Sequence, residues 1–237
     1  MSTMYQPQWG STRTIDRAAI DVALRSYMLR VYNLMGSGLA LSGIVAIAAY
    51  NLGWSAAFMG SGLGLVVMLA PIGILLLMSF GINRMSSAAT NGLYWAFVAT
   101  MGLSLSTIFM VYTQTSIARV FFITAATFGA MSLYGYTTKR DLSKFGSFLM
   151  MGLIGIMLAS IVNIFIGSTA LQFAVSVIGV LVFVGLTAYD TQRIKSEFYE
   201  GDAADIQSKQ AVMAAVSLYL NFINLFQLLL SLLGNRE

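Results

Sequence analysis

The sequence predicts an all-α integral membrane protein with seven transmembrane helices, and three observations carry that prediction. Of the 237 residues, 58% are hydrophobic and 9% charged, far from the balance of a water-soluble domain. The apolar residues gather into stretches of about 20, the length a helix needs to cross the hydrocarbon layer. Lys and Arg fall in alternate connectors. A water-soluble core could not hide this much apolar surface, whereas lipid accepts it on every face of a helix whose backbone is satisfied internally.

The absences are informative as well. With no Cys and no His, the chain lacks disulfides, thiol catalysis, thiolate metal sites and the usual proton switch near neutrality. Any response to pH must therefore fall on carboxylates. A membrane hydrolase needs a nucleophile with its base, or a metal site, and neither pattern is present, so no enzyme and no bound cofactor are expected. The net charge of +4 describes loops facing an anionic membrane surface. No basic stripe with interleaved aromatics suggests nucleic acid.

Residues 1–30 read as a cytoplasmic N-terminal segment and residues 31–237 as the transmembrane domain. The start carries no secretory pattern, with Arg13, Arg17, Arg25 and Arg30 ahead of the first apolar run, so the first span is expected to remain uncleaved. Within DRAAIDVALRSYMLRVY, the apolar Ile20, Leu24, Tyr27, Met28 and Val31 recur at helical spacing. That pattern suggests an interfacial helix feeding the first span.

The spans are read at 31–50, 56–82, 92–112, 120–136, 145–166, 171–190 and 212–233. In the long second span, Pro71 followed by Gly73 should produce a kink. Gly60 with Gly64, and Thr100 with Ser104 and Thr107, are read as packing stripes that let helices approach closely. Connectors are short, except for the polar TQRIKSEFYEGDAADIQSKQ before the last span.

Basic loops stay on the cytoplasmic side. With the N-terminus inside, Arg13, Arg17, Arg25, Arg30, Arg84, Lys139, Arg140, Lys144, Arg193, Lys195 and Lys209 share that side, and only Arg119 and Arg236 fall outside it.

Of the nine acidic residues, Asp190 alone joins an apolar span. A carboxylate there has two readings. It reaches the headgroup region and bonds Arg193 one turn on, or it faces the bundle interior, where it needs a partner and marks a cation or proton path. The last span offers partners. SLYLNFINLFQLLL sets Ser217, Asn221 and Asn224 on one helical face, a polar seam with Gln227 beside it. Amides facing lipid would leave donors and acceptors bare, so the seam is expected to turn toward other helices. Asn163 in IVNIF is a further interior candidate, read first as a helix–helix hydrogen bond.

These segments carry a resemblance. GAMSLYGYTTKRDLS, VGLTAYDTQRIK and SLYLNFINLF followed by LLSLLG resemble hallmark segments of the Bax inhibitor-1 (TMBIM) family, most closely its bacterial members of the YccA and YbhL type. The likeness runs from about residue 27 to residue 234. It implies a fold in which a central seventh helix is surrounded by the other six, in a bacterial inner membrane.

The resemblance also implies a function, a pH-sensitive calcium leak in which aspartates of the sixth and seventh helices are bonded near the cytoplasmic side. Asp190 matches the first and would be the gate and the metal contact. The second position is Asn221 here. Two close carboxylates share a proton, which suits a sensor near neutral pH. An amide removes that repulsion, so the pH trigger is expected to be blunted and attraction for a divalent cation weakened.

Family structures further imply a basic residue near the end of the second helix that pairs with the aspartates. Arg84 is the nearest candidate, with a plain positive-inside anchor as the alternative. The expected partners are membrane lipid, calcium or another cation and, in a second functional reading, a membrane AAA protease of the FtsH type that the protein would regulate without conducting.

Overall fold

The computed structural model describes residues 12–236, with side chains from Ala19 onward. Expectations that fall on residues 1–11, on the side chains of Arg13, Asp16 and Arg17, and on Glu237 lie outside the described residues. Among the described residues, eight α-helices follow one another: α1 (Thr12–Asn51), α2 (Trp54–Met59), α3 (Leu63–Gly81), α4 (Ser87–Leu105), α5 (Gln114–Thr137), α6 (Ser143–Ile166), α7 (Thr169–Glu197) and α8 (Ala204–Leu233). A 3-10 turn, Ser106–Met110, extends α4. All but the short α2 are long and apolar enough to cross a membrane, which makes seven candidate spans.

The helices start where the local chemistry allows. Ser86, Thr113 and Ser168 each accept a backbone N–H at the first turn of α4, α5 and α7, satisfying donors that the helix leaves open. The α6–α7 turn passes through Gly167 at φ 65°, a left-handed conformation that glycine adopts without a Cβ penalty.

The second span, read at 56–82, breaks at Gly60, Ser61 and Gly62, between α2 and α3, and α3 carries Pro71 inside a continuous helix. Proline removes the donor that would bond the carbonyl four residues back, that of Val67. The Ser104 hydroxyl of α4 donates to that carbonyl at 2.8 Å, so a neighbouring helix replaces the lost bond. Gly64 permits a close approach of two helices: a Cβ there would come within 2.8 Å of the Phe58 carbonyl, so its absence lets α2 fold against the start of α3, while Gly60 lies in the turn between them. Thr100 and Thr107 bond carbonyls of their own chain, Ala96 and Ser104 among them, which leaves Ser104 as the member of that set that crosses between helices.

The first span and the segment before it form a single helix, α1, with no break at residue 31. At the other end of the chain, α8 is the centre. Half of its most apolar window is buried, against 6% for α6 and 11% for α3. It packs against α1, α4, α5 and α7, whereas α6 leans on α7 and α3 on α4. The wall around α8 is therefore tight on one side and loose between α3 and α6.

Candidate functional site

Tyr189, Asp190, Thr191 and Gln192 leave α7 in four directions, because successive residues are rotated by about 100°. Tyr189 lies over Gly146 of α6, where a Cβ would meet its ring at 2.7 Å. Thr191 is buried and donates to the Thr187 carbonyl at 2.8 Å. Its proton being used, it accepts from Ser132 of α5 at 3.0 Å, and Ser132 in turn accepts from Tyr32 of α1. Gln192 holds the α5–α6 loop, accepting from the Leu142 N–H at 2.8 Å and donating to the Arg140 carbonyl at 2.9 Å. Three of the four residues thus fix α7 among its neighbours, and the fourth faces α8.

That fourth residue is Asp190, 7% exposed. Its Oδ2 accepts from the Asn221 side-chain amide at 2.7 Å and from the Ser217 hydroxyl at 2.9 Å. Its Oδ1 lies 3.1 Å from Nη2 of Arg193. Asp190 therefore faces inward, as one sequence reading expects, and bonds Arg193, as the other does. A buried carboxylate with several charge-assisted donors is stable where a lone one would not be.

The remaining candidates divide. Asn224 lies on the same face of α8 and donates to the Leu220 carbonyl of its own helix at 2.8 Å. Asn163 makes no helix–helix bond through its side chain; its Oδ1 accepts from the Ser168 N–H at 3.0 Å. It sits in the last turn of α6, where a short amide reaches the linking turn more readily than a neighbouring helix. Arg84 is exposed in the turn between α3 and α4, and it forms none of the ion pairs among the described residues. It is not brought to Asp190, because α3 rests on α4 on the far side of the loose wall. The base at Asp190 is Arg193.

A cavity of about 1290 Å³ runs along this face of α8 and is walled by α6, α7 and Leu75 of α3. At one end stand Asp190, Arg193 and Tyr189, and at the other Asn163, Gln172 and Ser231. Between them the lining includes Asn221, Asn224 and Gln227. From Ser217 to Ser231 the axial rise is about 21 Å, most of a hydrocarbon thickness of about 30 Å.

The full length of this polar row was only partly visible in the sequence. Ser231 repeats the spacing two heptads beyond Ser217, a signal that could have extended the seam. Ser176, which faces Ser231 from α7 at 3.3 Å, carried no signal of its own.

Comparison with known proteins gives a consistent result. Residues 24–237 match the family described as "Inhibitor of apoptosis-promoting Bax1". The chain is 48% identical over 223 residues to the inner membrane protein YbhL of Escherichia coli, covering 90% of this chain and 93% of the relative. It is 47% identical over 232 residues to a protein of Rickettsia prowazekii, covering 95% and 96%. A Deinococcus radiodurans protein is 34% identical and covers both chains completely.

Proposed function

Because this chain belongs to the Bax inhibitor-1 family of membrane proteins, we propose that it is a passive cation leak, with calcium the leading cargo, and that Asp190 is its gate and cation contact. The observation that carries this reading is the position of Asp190, a buried acid at one end of a largely apolar cavity along which the central helix sets a row of polar side chains. An intramembrane acid facing a cavity is the usual mark of a cation path. The basic end, with Lys139, Arg140 and Lys195, faces the cytoplasm in this proposal, which puts the gate at the inner mouth.

Among the described residues no group of three or more acidic residues gathers as a metal cage. Calcium takes six to eight oxygen ligands, so a single carboxylate with amide and hydroxyl neighbours suits brief contact during passage rather than retention. Asn221 donates to Asp190 without carrying a titrating proton, so the pH response is weak. In liposomes the protein should admit calcium, and Asp190→Ala should change that flux. Absence of flux in both proteins would remove the reading. Asn221→Asp places two carboxylates in contact, which cannot easily both ionise, and should make calcium entry pH dependent near neutrality.

One observation favours a second role. The 40 residues of α1 extend about 60 Å, twice the hydrocarbon thickness of about 30 Å, so a length of helix projects past the membrane as a surface for a membrane protease. Removing residues 1–18 should then abolish protease regulation, while Asp190→Ala should leave it intact.

A further inference from the structure

Arg193 stands between two acids of its own helix. Its Nη2 is 3.1 Å from Oδ1 of Asp190, three residues back, and its Nε is 3.8 Å from Oε1 of Glu197, four residues on. The second separation is too long for a hydrogen bond, and Nε is buried without a hydrogen-bond partner among the described residues. An unpaired buried donor is costly. The Tyr189 ring lies 5.9 Å from the guanidinium carbon and gives the planar group a surface along which to turn.

The two acids differ in surroundings. The Asp190 side chain is 10% exposed and that of Glu197 is 66% exposed. On Asp190, Ser217 and Asn221 hold Oδ2, while Arg193 holds Oδ1. Arg193 thus occupies the side of the carboxylate that a passing cation would need, and it brings the charge of the pair to zero.

We propose that Arg193 is a tethered counter-cation that a passing ion must displace from Asp190, and that Glu197 is the surface carboxylate that receives it. This rests on the reading of Asp190 as the cation contact and adds the regulation of that site. Swinging toward Glu197 exchanges one charge-assisted contact for another and satisfies Nε, while the incoming ion takes the place of the guanidinium on Oδ1 of Asp190. Lysine could not serve in the same way, because its ammonium is a point charge without the planar fork that faces both acids.

The test uses the full chain. In liposomes, Arg193→Gln should raise calcium entry about tenfold, the scale of one charge-assisted contact. Glu197→Gln should lower it about two- to fivefold, the scale of an exposed ion pair. Arg193→Lys should fall between wild type and Arg193→Gln, and shows whether loss of charge or loss of the fork is responsible.

In parallel, in detergent micelles with arginine labelled at Nε, the Arg193 resonance is identified by its loss in Arg193→Lys. It should move in both Asp190→Asn and Glu197→Gln. A resonance that moves in Asp190→Asn alone overturns the hand-over to Glu197. Unchanged or reduced flux in Arg193→Gln overturns the counter-cation role. If no variant and no wild-type protein admits calcium, the leak reading fails and takes the counter-cation with it, while the resonance still reports whether the two acids share the guanidinium.

Discussion

Toward α1, α4 and α5, helix α8 meets rings and no space. Tyr219 stands edge-on to Phe97 at 5.5 Å, and Phe222 meets Phe121 and Phe128 at 5.4 and 5.6 Å. The Tyr219 hydroxyl donates to Ser42 at 2.7 Å, and Ser42 donates its own hydrogen bond to the Val98 carbonyl. Toward α3, α6 and α7 the same helix lines the cavity with Ser217, Asn221, Asn224 and Gln227. One face is closed by shape and by complete pairing of its few polar groups. The other keeps polar groups in reserve where the neighbouring helices do not close. On the leak reading, the contrast gives stability to the first face and passage to the second, because a packed interior has no slack while a loosely walled one does.

The largest expected effect breaks the comparison directly. Phe222→Ala removes a ring packed between two others and should destabilise the fold by about 3 kcal/mol. Leu220→Ala, two residues away on the cavity side, should cost less than about 1 kcal/mol, since little packing is lost where space already exists. Thermal unfolding in detergent measures both, and equal losses would contradict the division. Next is Gly135→Ala. A Cβ there would come within 2.3 Å of the Ala188 carbonyl on α7, so overpacking of about 1–3 kcal/mol is expected. The same change at Gly155 of α6, with nothing within 4 Å, should be nearly silent.

Smaller again is the hydroxyl of Tyr219. Tyr219→Phe leaves the ring in place and removes one interhelical bond, worth about 1 kcal/mol in membranes. Asn224→Ala should cost about 0.5 kcal/mol or less, because its amide bonds only a carbonyl of its own helix. On the leak reading, however, Asn224→Ala alters calcium flux and Tyr219→Phe does not. That crossed result, stability on one face and flux on the other, would sharpen the division more than either number alone.

The sequence made this division half legible. Length and hydropathy placed seven helices, since lipid imposes one simple rule on every span. The seam of Ser217 and Asn221 and its acid partner were visible because a polar group in a greasy helix has few ways to be satisfied. Tertiary exchange was not visible. Pro71 signals a kink locally, and only the structure shows Ser104 covering the carbonyl it leaves open. The family resemblance offered Arg84 as a distant base for Asp190, while the base in place is Arg193, the partner that helical spacing had already offered. The cavity itself is a property of how α3 and α6 lean, and no single segment encodes it.

The smallest effect concerns how the loose wall is held at its basic end, where α6 begins. Asp141 lies outside the membrane-spanning segments and accepts the Ser143 N–H at 2.9 Å, which fixes the first turn of α6. That bond, with the nearby Lys144, holds its carboxyl below the usual value of 3.8. A depressed folded-state value means that its contribution to stability is present above the unfolded value and is lost as pH falls through the folded one. Acidification into that range should therefore lower the protection of the Ser143 amide relative to its intrinsic exchange rate at the same pH, and Asp141→Ala should reproduce that loss of protection at neutral pH. Gln192 still grips the Leu142 N–H in that variant, so global unfolding should barely move. Were Asp141→Ala instead to lower stability as much as Phe222→Ala, the α6 wall would belong to the packed core, and the contrast between the two faces of α8 would not stand.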